Sequence, residues 1–104
     1  MKRFMENYDV LVMPSLPITA FTAGQLQPGN ADALGKWVNW TPFSYPFNLT
    51  QQPACSVNCG FDREGLPIGL QIVGRMFDDR TVLRVAATVE EAVDLLGKHP
   101  KGFA

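Results

Sequence analysis

A chain of 104 residues, 46 % apolar, with nine basic and ten acidic side chains and a formal net charge of −1, is one domain at most. The near balance of charge gives none of the basic excess that offsets phosphate in a nucleic-acid binder, and no apolar run approaches the ~20 residues of a membrane helix. The start, MKRFMENYD, has basic residues but no apolar stretch behind them, so it is no secretory signal, and the expected compartment is the cytoplasm.

In chain order, residues 2–8 read as a short helix with Phe4, Met5 and Tyr8 at i, i+1 and i+4. Residues 9–13, DVLVM, are apolar almost throughout and are closed by Pro14 and Pro17, a pattern that fits a central strand covered on both faces. Residues 15–36 carry Pro17, Gly24, Pro28, Gly29 and Gly35 without a clean period and read as a long loop. Loops of that length in a compact domain are usually lids or ligand walls, or a sign that something is missing.

Residues 37–52, WVNWTPFSYPFNLTQQ, change character. Thr41 suits an N-cap and Pro42 a first helical position, which predicts a bent helix over 43–51 with Phe43, Phe47 and Thr50 on one edge. Pro46 conflicts with a regular helix, and Pro53 disfavours helix at Gln52. Trp37, Trp40, Phe43, Tyr45 and Phe47 crowd into eleven residues. Core packing is one account of them; the other is that Trp40, Phe43 and Tyr45 wall an apolar substrate pocket.

Residues 53–75, PACSVNCGFDREGLPIGLQIVGR, are the centre of the chain: two strands, 54–60 and 68–74, joined by a turn containing Asp62, Gly65 and Pro67. Gly60, Gly69 and Gly74 suit a sheet interior that other backbone approaches closely. Cys55 and Cys59, four apart on a strand, would stand ~13 Å apart and cannot form a disulfide. With His99 the chain's single histidine, they read as two small buried thiols and not as a metal site. Residues 78–96 form the clearest helix: Asp78 and Asp79 cap its start, Gly97 follows, and Val82, Leu83, Val85, Ala86, Val89, Ala92, Val93 and Leu96 make an apolar stripe. Residues 98–104 read as a tail.

This order gives an α/β fold with about three strands. The connection between the second and third strands is too short for a crossover, so that pair is antiparallel and the sheet as a whole is expected to be mixed. No nucleophile has a base near it in sequence. His99 lies in the tail, no phosphate-binding glycine loop is present, and neither a metal nor a cofactor is expected. Glu90, Glu91 and Asp94 read as solvated charge on the last helix.

The chain resembles the C-terminal end of the amidase signature family. YDVLVMPSLP, TPFSYPFNLTQQPACSVNCGF, GLPIGLQIVGRMFDD and LRVAATVEEA follow in family order, and together they cover nearly all of the chain outside the loop and the last residues. The resemblance implies the C-terminal portion of an αβα sandwich around a mixed sheet, in a chain several times longer. It implies hydrolysis of carboxamides by a serine activated through a second serine and a lysine. Those residues lie upstream in the family, in and before a Gly/Ser-rich segment, and none can be carried over: Lys2, Lys36, Lys98 and Lys101 are not in the matching context. The implied reading is a fragment, inactive alone, whose partners are the missing N-terminal part and, in the parent, a small amide substrate.

The resemblance also implies pocket lining. The segment leading into the NLT helix borders the acyl side of the family's site, which here is Trp40, Thr41, Pro42, Ser44 and Tyr45. The A subunit of glutamyl-tRNA amidotransferase resembles this region too, but carries an acidic residue near the position of Thr41 to hold the amino group of glutamine. Thr41 cannot supply that charge, and with four aromatics nearby an apolar or aryl amide is the expected substrate. The alternatives are a free-standing module binding a small molecule or partner through the aromatic wall, an amidotransferase-like piece, and a fragment that pairs its exposed edges into a homo-oligomer.

Overall fold

The computed structural model describes residues 1–29, 40–95 and 97–98. Six elements follow in order: α1 (Lys2–Met5), β1 (Val10–Pro14), α2 (Tyr45–Thr50), β2 (Ala54–Phe61), β3 (Pro67–Gly74) and α3 (Asp79–Val93). Every element expected from sequence is present, within a few residues of its expected bounds. Trp37, Leu96, His99, the end of the long loop and most of the tail lie outside the described residues.

The sheet order is β1-β3-β2, and both pairs are antiparallel. The antiparallel β2–β3 hairpin is as expected; the mixed sheet is not what these three strands form. The reason is topological. The long connection from β1 to β2 leaves those two strands running the same way, but β3 returns through a tight turn and inserts between them, antiparallel to both. β3 therefore holds the centre, and β1, expected there from its apolar run, is an edge with Val12 47 % exposed.

The hairpin turn follows from its residues. Asp62 Oδ1 accepts from the backbone N–H groups of Glu64 (2.9 Å) and Leu66 (2.8 Å), and Gly65 takes φ +82°. A bulge between Asn58 and Gly60 lets two β2 residues oppose one on β3, and there the Cys59 thiol donates to the Ile68 carbonyl at 3.4 Å.

Helix α3 covers one face. Its N-cap is Asp78, whose carboxylate accepts from Thr81 N–H at 3.3 Å. Val82 and Ala86 are buried against Val57 and Ile72, with Val10, Cys55, Leu70, Val85 and Val89 around them. Leu83, placed in the stripe by its apolar character, is 64 % exposed: one residue past Val82 it lies a third of a turn off the buried line. The helix stops at Asp94, in the left-handed conformation at φ 47°, ahead of the expected stop at Gly97. Gly74 explains how closely α3 sits. A Cβ there would meet Val82 Cγ2 at 2.5 Å and the Asp78 carbonyl at 3.3 Å.

The opposite face carries Val73, fully buried, and Gln71, nearly so. The segment around α2 lies on it: Gln71 Nε2 donates to the Phe43 carbonyl at 2.7 Å, Gln52 Nε2 to the Gly74 carbonyl at 3.3 Å, and Phe47 is buried. Helix α2 starts at Tyr45, after an N-cap at Ser44, and not near Thr41. That shift removes the conflict at Pro46, which now occupies the first turn, where its missing N–H has no intrahelical partner to lose. Helix α1 is one turn, shorter than expected. Beyond it Arg75 takes over, its Nε donating to the carbonyls of Met5 and Tyr8 (both 3.1 Å) and its Nη2 to Asp9 (3.2 Å). Met5 is buried, while Phe4 and Tyr8 stack at 4.9 Å on the outside.

Candidate functional site

The residues singled out from sequence as pocket lining, Trp40, Thr41, Pro42, Ser44 and Tyr45, form one continuous stretch leading into α2. The first four are half-buried and Tyr45 is exposed. The stretch is fastened to the sheet through its own backbone, because Phe43 offers its carbonyl to Gln71. The Ser44 hydroxyl donates back to the Thr41 carbonyl at 3.2 Å, which tightens the turn before the helix. Trp37, the first of the five crowded aromatics, lies outside the described residues.

A second fastening comes from the loop after β1. Ser15 N–H donates to the Gly69 carbonyl at 2.8 Å, and the hydroxyls of Ser15 and Ser56 meet at 2.5 Å across Gly69. A Cβ on Gly69 would stand 2.8 Å from each of these oxygens, so only glycine leaves room for the bridge. Four residues on, the Thr19 side chain comes near the Asp62 carboxylate and favours its ionised form. The loop then brings Phe21 edge-on to Trp40, with ring centroids 5.3 Å apart and planes at 87°. The Asp62 carboxyl lies below the usual carboxylate range, chiefly because the Leu66 N–H donates to it, with Thr19, Glu64 and Gly65 adding to the effect against some desolvation.

Phe21, Ser15, Ser56 and Gln71 were not legible as supports of this stretch and the loop beside it. Phe21 and Ser15 sit in a stretch without periodicity. Gln71 did leave a signal, as the one polar side chain inside the apolar run GLQIVG.

The stretch can supply shape and apolar contact; it holds no reacting group. Among the described residues the Ser15 and Ser56 hydroxyls bond to each other and the Ser44 hydroxyl to a carbonyl, so none is paired with a lysine that could act as base. Both cysteines are free thiols, and burial, helped by the Glu90 carboxylate, pushes the Cys55 thiol up, which disfavours its thiolate form. No group of three His, Cys, Asp or Glu among the described residues could hold a metal ion.

A cleft of about 530 Å³ lies elsewhere, between α1, Thr50, Gln52, Arg75 and Met76, and a groove of about 340 Å³ separates the end of α2 from the start of α3. Neither is lined by the Trp40–Tyr45 stretch.

The amidase family profile matches residues 1–83. The A subunit of the glutamyl-tRNA(Gln) amidotransferase of Brevibacillus brevis is 46 % identical over 95 residues, which is 91 % of this chain and 19 % of that protein. Among solved structures, 6-aminohexanoate cyclic dimer hydrolase bound to its substrate superposes with a TM-score of 0.81 at 28 % identity, over 96 % of this chain and 23 % of the hydrolase. The A subunit of the Thermotoga maritima glutamyl-tRNA(Gln) amidotransferase superposes with a TM-score of 0.70 at 35 % identity, over 86 % of this chain and 18 % of that one. The chain thus spans about a fifth of the length of the curated relatives it matches. On the family profile and these identities, the chain belongs to the amidase family.

Proposed function

We propose that this chain is the C-terminal part of an amidase-family hydrolase that cleaves carboxamide C–N bonds, and that Trp40, Thr41, Pro42, Ser44 and Tyr45 border the acyl side of its pocket. The observation that supports the site is its double fastening. Phe43 is held by Gln71 in the central strand and Trp40 by Phe21, so the wall rests on the sheet and does not swing as a free loop. The nucleophile and its base belong to the part of the protein outside this chain, and the chain alone does not turn over amides. Its open strand edges are covered by that part in the parent, and by a second copy when the chain stands alone. Among the described residues no helix is long and apolar enough to cross a membrane, and the cytoplasm is the proposed compartment.

An apolar or aryl amide is the proposed substrate. A neutral threonine at position 41, among Trp40, Phe43 and Tyr45, offers apolar contact and no counter-charge for an ammonium group. The identity to amidotransferase A subunits favours a second reading, in which the substrate is glutamine. Replacing Thr41 by Asp in the full-length parent, and comparing kcat/KM for glutamine and for an aryl amide, separates the two. The proposal expects Thr41→Asp to shift the ratio toward glutamine by about tenfold or more, the scale of one new charge-assisted contact. An unchanged ratio places Thr41 away from the acyl pocket. An unsubstituted parent that already prefers glutamine supports the second reading.

A further inference from the structure

Three described non-glycine residues take positive φ: Gln51 (58°), Phe77 (65°) and Asp94 (47°). Gln51 and Asp94 close α2 and α3, where a left-handed residue is a common way to end a helix. Phe77 closes no helix. It is the third residue of a turn from Arg75 to Asp78, sealed by Asp78 N–H donating to the Arg75 carbonyl at 3.0 Å. A positive φ at that position favours glycine or asparagine, and a bulky residue there is strained. Burial gives nothing back, because the Phe77 side chain is 91 % exposed.

The surroundings suggest what does. Phe77 stands at the groove of about 340 Å³ that is also lined by Phe47, Asn48, Gln51, Gln52, Pro53 and Asp79. An exposed aromatic beside three carboxamides and a carboxylate has the anatomy of an interface anchor with a polar rim. We propose that Phe77 is a docking anchor, inserted in the parent protein into the polypeptide that precedes this segment. This rests on the reading of the chain as part of a longer amidase. Two observations commit the surface to that occupant. The relatives are about five times longer than the matched segment and, among the described residues, β1 and β2 have no strand on their outer sides, so the sheet lacks neighbours close to the same turn. With a net charge of −1 the chain offers no strong field to recruit a highly charged partner in its place.

The test co-expresses the tagged 104-residue chain with a relative's polypeptide that stops just before the matching part, and reads association and chain stability separately. Phe77→Gly relieves the left-handed strain, so the chain alone unfolds at higher urea than the wild type. The same substitution removes the anchor, so association weakens about tenfold or more, while Phe77→Leu keeps most of it. Opposite signs in the two readouts distinguish docking from a structural role. Wild-type association by Phe77→Gly overturns the proposal, as does a loss of stability in the chain alone. Self-association of the chain that Phe77→Gly abolishes overturns it in favour of a second copy. If the wild-type chain does not associate at all, the reading as part of a longer amidase fails and the anchor falls with it.

Discussion

Asp62 shows how much one short side chain can organise. Its carboxylate closes the β2–β3 turn through Glu64 and Leu66, and Thr19 comes near it, so the hairpin and the loop that carries Phe21 meet at one carboxylate. These donors stabilise the ionised form and lower the folded-state pKa below the unfolded value. The stability this contributes is therefore fully present above the unfolded pKa of about 4 and is lost as pH falls through the lower, folded value. Urea midpoints measured from pH 6 downward should fall in that acid window for the wild type. Asp62→Asn should lower the midpoint at pH 6 and flatten its acid dependence, while an equally steep acid limb in the variant would show that Asp62 does not carry it. From sequence Asp62 reads as a turn residue, which it is; its closeness to Thr19 was hidden because a contact across 43 positions leaves no local pattern.

At the scale of elements, α3 packs closely on β3 where Gly74 meets Val82. Gly74→Ala places a methyl group 2.5 Å from Val82 Cγ2 and close to the Asp78 carbonyl, and should destabilise the chain by about 1–3 kcal/mol, as overpacking does. Trimming the partner should recover part of that loss: in chemical denaturation the double variant Gly74→Ala/Val82→Ala should be more stable than the sum of its singles. Simple additivity would mean that the two sites do not touch. The strands, the hairpin and the helix stripe were legible because each is a local periodicity or a local turn signal. The strand order was not, since the apolar run of β1 reads the same at a sheet's centre and at an edge. The start of α2 was missed for a different reason. Thr41–Pro42 and Ser44–Tyr45–Pro46 both offer a cap followed by an early proline, and the Phe43 carbonyl engaged by Gln71 takes the stretch before Tyr45 out of the helix.

For the whole molecule, the distribution of apolar side chains argues as strongly as any motif. Val12, Leu49, Ile68, Phe77 and Leu83 are exposed on several elements, while Ile72 and Val73 are completely buried on opposite faces of one strand. A sheet filled on both sides at its centre and open at its edges is what a segment about a fifth as long as its relatives should look like. The proposal that Trp40, Thr41, Pro42, Ser44 and Tyr45 form a pocket rim rests on the family resemblance. Composition and spacing alone reached only an aromatic wall, because a pocket rim without a reacting group carries no chemical signature of its own. The most direct measurement is ammonia release by the purified 104-residue chain from simple aliphatic and aryl amides. The account predicts a rate equal to the blank, since the hydroxyls of Ser15, Ser44 and Ser56 have no lysine partner among the described residues. Turnover above blank that disappears in Ser15→Ala or Ser56→Ala would contradict it, because the chain would then hold the nucleophile that the account assigns to the rest of the protein.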